Sequence, residues 1–468
     1  MTDDGAVAAS FADAEPLVFW LDDKAAPPPE PPLSGRATAD LAVVGGGYTG
    51  LWTALRAKER YPELDVVVLE AAACGGAASG RNGGFCSASL THGFGNGLAR
   101  WPDELAALDR IGQQNLEAIG ETIARYRIDC GWERSGELTV ATAPHQLDEL
   151  AEEVALRQAV GQDVALLDGS AARAQLDSPT YLGALSDPIG TALVEPARLG
   201  WGLRRACLDA GVRIHEHTPV TGLRRDGTAR LLLTATGAVR AGRVALASNA
   251  FPSLLRRLRL YTVPVYDLVL VTEPLSTAQL NALGWRQRQG VGDASNLFHY
   301  YRLTRDNRIL WGGYEPFYYF GSRIDPALEQ RDAIHGMLAR HFFGTFPQLE
   351  GLRFTHRWGG VIDTSTRFCA FFGTASEGKV SYAAGYTGLG VAATRFGADV
   401  MLDLLYDQDS ERRRLRLVRE RPVPFPPEPL RYVGIKLTKW SMARADARGG
   451  RRNLWLRTLD RLGLGFDF

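Results

Sequence analysis

The stretch LAVVGGGYTGLWTALRAKER, residues 41–60, sets three consecutive glycines between an apolar run and a helical pattern. Gly45, Gly47 and Gly50 fit the spacing G-x-G-x-x-G. In that spacing the first glycine permits a tight turn, the second lets a diphosphate approach the backbone, and the third lets helix and strand pack closely. The helix opening there, with Tyr48 and Thr49 in its first turn, offers N–H groups and the positive end of its dipole to an anion. DLAVV before the turn reads as a strand. DVVVLE after the helix reads as another, ending at Glu70, the distance at which an acid binds a ribose hydroxyl. Strand, turn, helix, strand and acid together predict a βαβ unit that holds a dinucleotide. The carboxylate at 70 disfavours a 2′-phosphate by charge repulsion.

Several function classes are excluded by composition. The chain has 468 residues, 45% hydrophobic and 23% charged, an ordinary globular balance at a length that calls for two connected domains. Lys+Arg and Asp+Glu each total 53, so no global field draws nucleic acid, and a small-molecule substrate is expected. MTDDGAVAASFADAEPL carries acids where a secretory leader needs bases, and no apolar segment is long enough to cross a bilayer, so the expected location is cytoplasmic. Cys74, Cys86, Cys130, Cys207 and Cys369 are scattered without metal-site or disulfide spacing; reduced thiols and no metal are expected.

The order of elements predicts an α/β fold with α+β features, in which a Rossmann-like unit is interleaved with a mixed or antiparallel sheet unit. Residues 1–38, rich in proline near their end, form an extended lead-in, and the folded unit starts near Asp40. Residues 39–90, 195–250 and 375–405 make the nucleotide unit. Residues 91–194 and 251–374 make the substrate unit, and residues 406–468 a helical tail.

The motifs VVGGGYTGL, VVVLEA, GGAASGRNGG, PARL, ALASNAF, YYRLTRDNRILWGG and AAGYTGLGVAAT occur in this order between about residues 40 and 405. In that order they resemble the D-amino-acid oxidase superfamily of FAD proteins, and within it the bacterial γ-glutamylputrescine oxidoreductase-like branch. The resemblance implies FAD, a glutathione-reductase-like FAD domain beside a substrate domain, and oxidation of a C–N bond. It places Ala78, Ser79, Arg81, Asn82, Gly83 and Gly84, with Val220 and Asn249, along the cofactor. It sets the second glycine turn, Gly388, Leu389, Gly390 and Val391, beside the flavin ring. A helix start there stabilises negative charge around the flavin N1 and C2=O. Family members often carry a histidine where this chain has Leu389. The position of the flavin-linked cysteine of sarcosine oxidases falls near Gly360 or Val361, which predicts noncovalent FAD.

The substrate wall is expected from the second sheet. Phe298, Tyr300 and Arg302 share one face of a strand and His299 and Tyr301 the other, so only one set can face the pocket. The resemblance implies a substrate-lining tyrosine here, Tyr300 or Tyr301. Asp267 interrupts an apolar strand and either holds a substrate ammonium or pairs with an arginine; Trp358 either walls the pocket or packs in the core. The amino-acid oxidases of the family carry a carboxylate-gripping arginine after this tryptophan, whereas WGGVIDTST offers none before Arg367, which points to an amine. Oxygen or another acceptor takes the electrons. Other flavin chemistry, such as N-hydroxylation, or a noncatalytic FAD-binding role stands as the alternative. The basic tail either packs on its own domain or contacts a protein or a membrane surface.

Overall fold

The computed structural model describes residues 4–465. The main path of its first sheet runs Phe371–Ala375, Val380–Ala384, Gly237–Leu246, Gly35–Val44, Val66–Leu69, Arg213–His215, parallel apart from its first strand, and an antiparallel pair, Ala229–Leu233 and Gly222–Asp226, branches from Gly237–Leu246. Leu41–Val44 and Val66–Leu69 are buried on both faces, which is why they read as unbroken apolar runs rather than alternating ones. Helix Tyr48–Arg60 packs between helices Pro196–Asp209 and Gly390–Leu405.

The second sheet runs Phe354–Ser365, Thr262–Thr272, Ile309–Gly313, His299–Leu303, Gly290–Asp293, Glu137–Ala141, Gly183–Asp187, Ala165–Asp168. Its one parallel pairing joins Gly290–Asp293 to Glu137–Ala141. The helix Asp332–Thr345 covers one face with Phe342 and Phe343 over Trp311, Tyr301 and Phe354.

The sequence-derived map departs from the structure in places. The lead-in begins with a helix, Asp4–Phe11, whose Val7 and Phe11 are buried in the core of the second sheet. The first strand starts at Gly35, paired with Gly237, ahead of the expected Asp40. Strand Phe371–Ala375 joins the first sheet, and helix Leu105–Arg125 buries Leu108, Ile111 and Leu116 in that sheet's core. Packing across the chain decides these placements, and no local pattern announces them. Among the described residues no helix is long and apolar enough to cross a membrane.

Candidate functional site

The first glycine turn is built by steric exclusion. Gly45 has φ 106°, and a Cβ there would lie 2.5 Å from the Ala247 carbonyl oxygen. A Cβ on Gly50 would lie 1.8 Å from the Gly45 carbonyl oxygen, so only glycine lets the helix start fold back over the turn. Glu70 supports the same loop from beneath: Oε2 accepts the Gly46 N–H (2.6 Å) and Oε1 the Ala72 N–H (2.8 Å). Burial raises its carboxyl above the usual range, and these bonds oppose the rise. Ser79 Oγ accepts the Tyr48 N–H at 2.9 Å, tying the small-residue loop to the helix start.

That loop is held mostly by its own donors. Asn82 Nδ2 donates to the Ala78 and Ser79 carbonyls (3.0 Å each), and its Oδ1 accepts the Gly84 N–H (2.8 Å). Arg81 donates to Glu329 (2.6 Å) and to the Gly76 carbonyl (3.0 Å). From outside, Trp20 donates its indole N–H to Asn82 O, and Trp358 donates to Arg81 O, both at 2.9 Å.

The second turn follows strand Val380–Ala384, with Gly385 and Gly388 at φ 79° and 93°, and opens helix Gly390–Leu405. Its organiser is a residue sequence reasoning missed. Asp363, wholly buried, accepts the N–H groups of Gly385 and Tyr386, while its own carbonyl accepts the Thr387 N–H at 3.1 Å. Burial pushes its carboxyl up to about 7. Asn249, with its amide nitrogen toward Asp363, donates to both carboxylate oxygens (2.6 and 3.1 Å). The helices after the two turns are pinned together: Arg56 and Arg60 reach Asp399 (3.0 and 2.6 Å), and Arg60 reaches Asp403 (2.7 Å). Burial alone would raise the Asp399 carboxyl, but the arginine charges outweigh it and hold it low.

Both turns line one cavity of about 2130 Å³, together with Glu70, Ser79, Arg81, Asn82, Val220 and Asn249. The glycine cradle that a Cβ would fill, the helix N-termini and the continuous space between the turns fit a long dinucleotide lying from one to the other.

The sheet wall of that cavity carries Tyr300 and Asp267. Tyr300 Oη donates to Asp267 Oδ2 at 2.8 Å. A Cβ on Gly312 would sit 2.5 Å from Tyr300 Cζ, and one on Gly83 2.8 Å from its Cε2, so two glycines clear the slot the ring occupies. Gly84 instead makes room for the Val194 carbonyl and Arg302: a Cβ there would meet Val194 O at 2.2 Å and Arg302 Nη1 at 2.6 Å. Among the described residues no arginine pairs with Asp267. It also accepts the Leu268 N–H (2.9 Å), it faces Gly360 across the ladder, and burial pushes it up to about 6.

Three expected site residues lie elsewhere. Tyr301 points to the other face, where its hydroxyl meets that of Tyr181 (2.5 Å) and its ring packs on Trp311 and Phe346. His299 joins it there, bonded to His341 (2.9 Å), with burial pushing its pKa down to about 3. Trp358 packs with Val18, Trp20 and Leu310, so it supports the loop at Arg81 and is no wall of the cavity. Arg367 is also spent, donating to backbone carbonyls of Leu417 and Glu420. The five cysteines are buried and free. Among the described residues no cluster of His, Cys, Asp or Glu could hold a metal ion.

Residues 40–404 match the family model DAO, FAD dependent oxidoreductase. The chain is 34% identical over 392 residues to gamma-glutamylputrescine oxidoreductase of Escherichia coli (strain K12), covering 81% of this chain and 86% of that one. It is 24% identical to sarcosine oxidase subunit beta of Rhodobacter capsulatus, covering 73% and 77%. Among solved structures, glycine oxidase from Geobacillus kaustophilus superimposes with a TM-score of 0.66 at 22% identity, over 80% of this chain and 96% of that one. The dinucleotide is therefore FAD, and the chain belongs to the DAO family of FAD-dependent oxidoreductases.

Proposed function

We propose that this protein oxidises a C–N bond of a small amine. The observation that carries the reading is the Tyr300–Asp267 pair on the wall of the same cavity that both glycine turns line. Support also comes from the E. coli relative, whose name specifies gamma-glutamylputrescine.

FAD, when bound, would supply the hydride acceptor, and water hydrolyses the imine to a carbonyl compound and an amine or ammonia. We assign Gly45, Gly47, Thr49 and Gly50 to its diphosphate, Glu70 to its ribose, and the helix start Gly388–Val391 to the flavin ring. No cysteine is among the described residues lining the cavity, which supports noncovalent binding.

Asp267 is ionised above about pH 6 and can hold a substrate ammonium or accept its extra proton. Tyr300, whose pKa burial raises well above the usual phenol value, stays protonated and orients the carboxylate. Of the arginines lining the cavity, Arg81 pairs with Glu329, Arg157 with Asp187 and Arg452 with Asp460, while Arg431 donates to the Pro426 carbonyl and to Ser322, so a substrate carboxylate would have to compete with existing contacts. That favours an amine over an α-amino acid.

Anaerobic mixing of the FAD-loaded protein with polyamines, N-methyl amines and amino acids tests the reading. Bleaching of the flavin by an amine supports it. No bleaching by any of them, with bleaching by NADPH, contradicts it.

A further inference from the structure

The segment beyond residue 404 lies outside the family match, and its main helix, Leu430–Asp446, has two unlike sides. The inner side is stapled to the second sheet's loops. Arg431 donates to Ser322 (3.0 Å), Lys439 pairs with Glu315, and Asp446 accepts the N–H groups of Asn296 and Leu297 (3.0 and 3.1 Å). The outer side carries Leu430, Val433, Leu437 and Trp440 at spacings of three, four and three, a single stripe. Leu430, Val433 and Trp440 are 65%, 57% and 54% exposed, and Leu454 of the next helix, Leu454–Arg461, is 77% exposed.

The exposed charges of this segment's own residues, from Leu430 to Leu462, are of one sign. Lys436, Arg444, Arg448, Arg451, Arg457 and Arg461 are exposed. The acids between residues 430 and 462 are Asp446, spent on Asn296 and Leu297, and Asp460, paired with Arg452 at 2.6 Å. A chain with equal numbers of basic and acidic residues thus gathers unopposed cations around one apolar stripe. Arg444 lies over the Trp440 ring at 5.2 Å and Lys436 over the Tyr432 ring at 5.6 Å, the pairing of aromatic body and cationic head that suits a headgroup layer.

We propose that this outer face docks on an anionic lipid bilayer, with the helix Leu430–Asp446 lying in the plane of the interface. The cations meet lipid phosphates, and the apolar stripe enters the boundary beneath them. An acidic protein would satisfy the cations, but a row of protruding apolar side chains flanked by arginines matches a soft interface better than a shaped partner. Leu430, Val433 and Leu437 also border the flavin cavity, so docking turns that edge of the chamber to the membrane.

The test is co-sedimentation of the full-length, FAD-loaded protein with vesicles of phosphatidylcholine, with or without phosphatidylglycerol. Sedimentation with the anionic vesicles that is lost at high salt is expected. Trp440→Glu and the double variant R444E/R448E, all outside the cavity lining, should each lower the bound fraction about tenfold with the flavin spectrum unchanged, while Trp440→Phe retains binding. No sedimentation with anionic vesicles, or equal binding to both compositions, overturns the proposal. Undiminished binding by both the glutamate variant and the double variant does so as well. A concentration-dependent dimer abolished by Trp440→Glu would instead assign the stripe to a second copy of this chain.

Discussion

The two glycine turns end similar strands and open similar helices, yet they are held in shape by different means. The turn at Gly45–Gly50 is closed by sterics within a few residues: the Gly50 Cα seats against the Gly45 carbonyl, where any side chain would clash. The turn at Gly385–Gly390 is closed from a distance, by the carboxylate of Asp363 on strand Phe354–Ser365. The second exists because the second sheet delivers a buried acid to it, which couples that turn to the sheet that carries Tyr300 and Asp267.

The largest effect should come from Gly50→Ala, whose Cβ must displace backbone. Its expected outcome is loss of FAD binding by more than about a hundredfold, read by the flavin retained after desalting. Next is Asp363→Ala, which leaves the Gly385 and Tyr386 N–H groups without their acceptor. At about 1–3 kcal/mol for each of the two buried donors, FAD should bind at least about thirtyfold more weakly, with Asp363→Asn between it and the wild type in titrations followed by flavin fluorescence. Were Asp363→Ala silent while Gly50→Ala abolished binding, the second turn would not depend on its distant clamp. Glu70→Gln keeps one acceptor for two N–H groups and should weaken FAD binding about tenfold without changing the rate at which bound flavin is reduced.

The smallest effect concerns the sheet wall. Because Asp267 titrates near 6, kcat/KM should fall as pH drops through about 6 and the carboxylate takes up a proton. In Asp267→Asn that acidic limb should vanish and KM should rise. An unchanged pH profile in the variant would remove Asp267 from contact with the substrate. Tyr300→Phe should keep the limb and change KM by only a few fold, since the phenol orients a carboxylate already fixed by the Leu268 N–H.

The contrast also explains what was legible beforehand. Gly45, Gly47, Gly50 and Glu70 could be read directly, because the Gly45–Gly50 contact and the Glu70 bond to Gly46 lie within one βαβ frame of fixed spacing. Asp363 was not legible because VIDTST reads as the polar end of a strand, and nothing local in it names the distant turn that the acid serves. Its signal was an isolated acid inside a strand together with a glycine turn in need of acceptors. The facing of HYYRL was undecidable by alternation, since both faces offer aromatics. The structure settles it through what each side meets: Trp311 and Phe346 fill the side of Tyr301, whereas Gly83 and Gly312 leave the slot for Tyr300. Arg81 and Asn82 were legible as donors, but their carbonyl partners within the loop were not. The opening helix Asp4–Phe11 follows from burial of Val7 and Phe11 against a distant core, which its short, weakly patterned sequence does not announce.

The most direct measurement is a crystal structure of the protein with FAD bound. The account predicts one FAD molecule with its diphosphate on the N–H groups at Gly47–Gly50, its ribose on Glu70, and its ring beneath Gly388–Val391 and facing Tyr300. A flavin ring lying away from the second turn, or an FAD held at one turn alone, would contradict it.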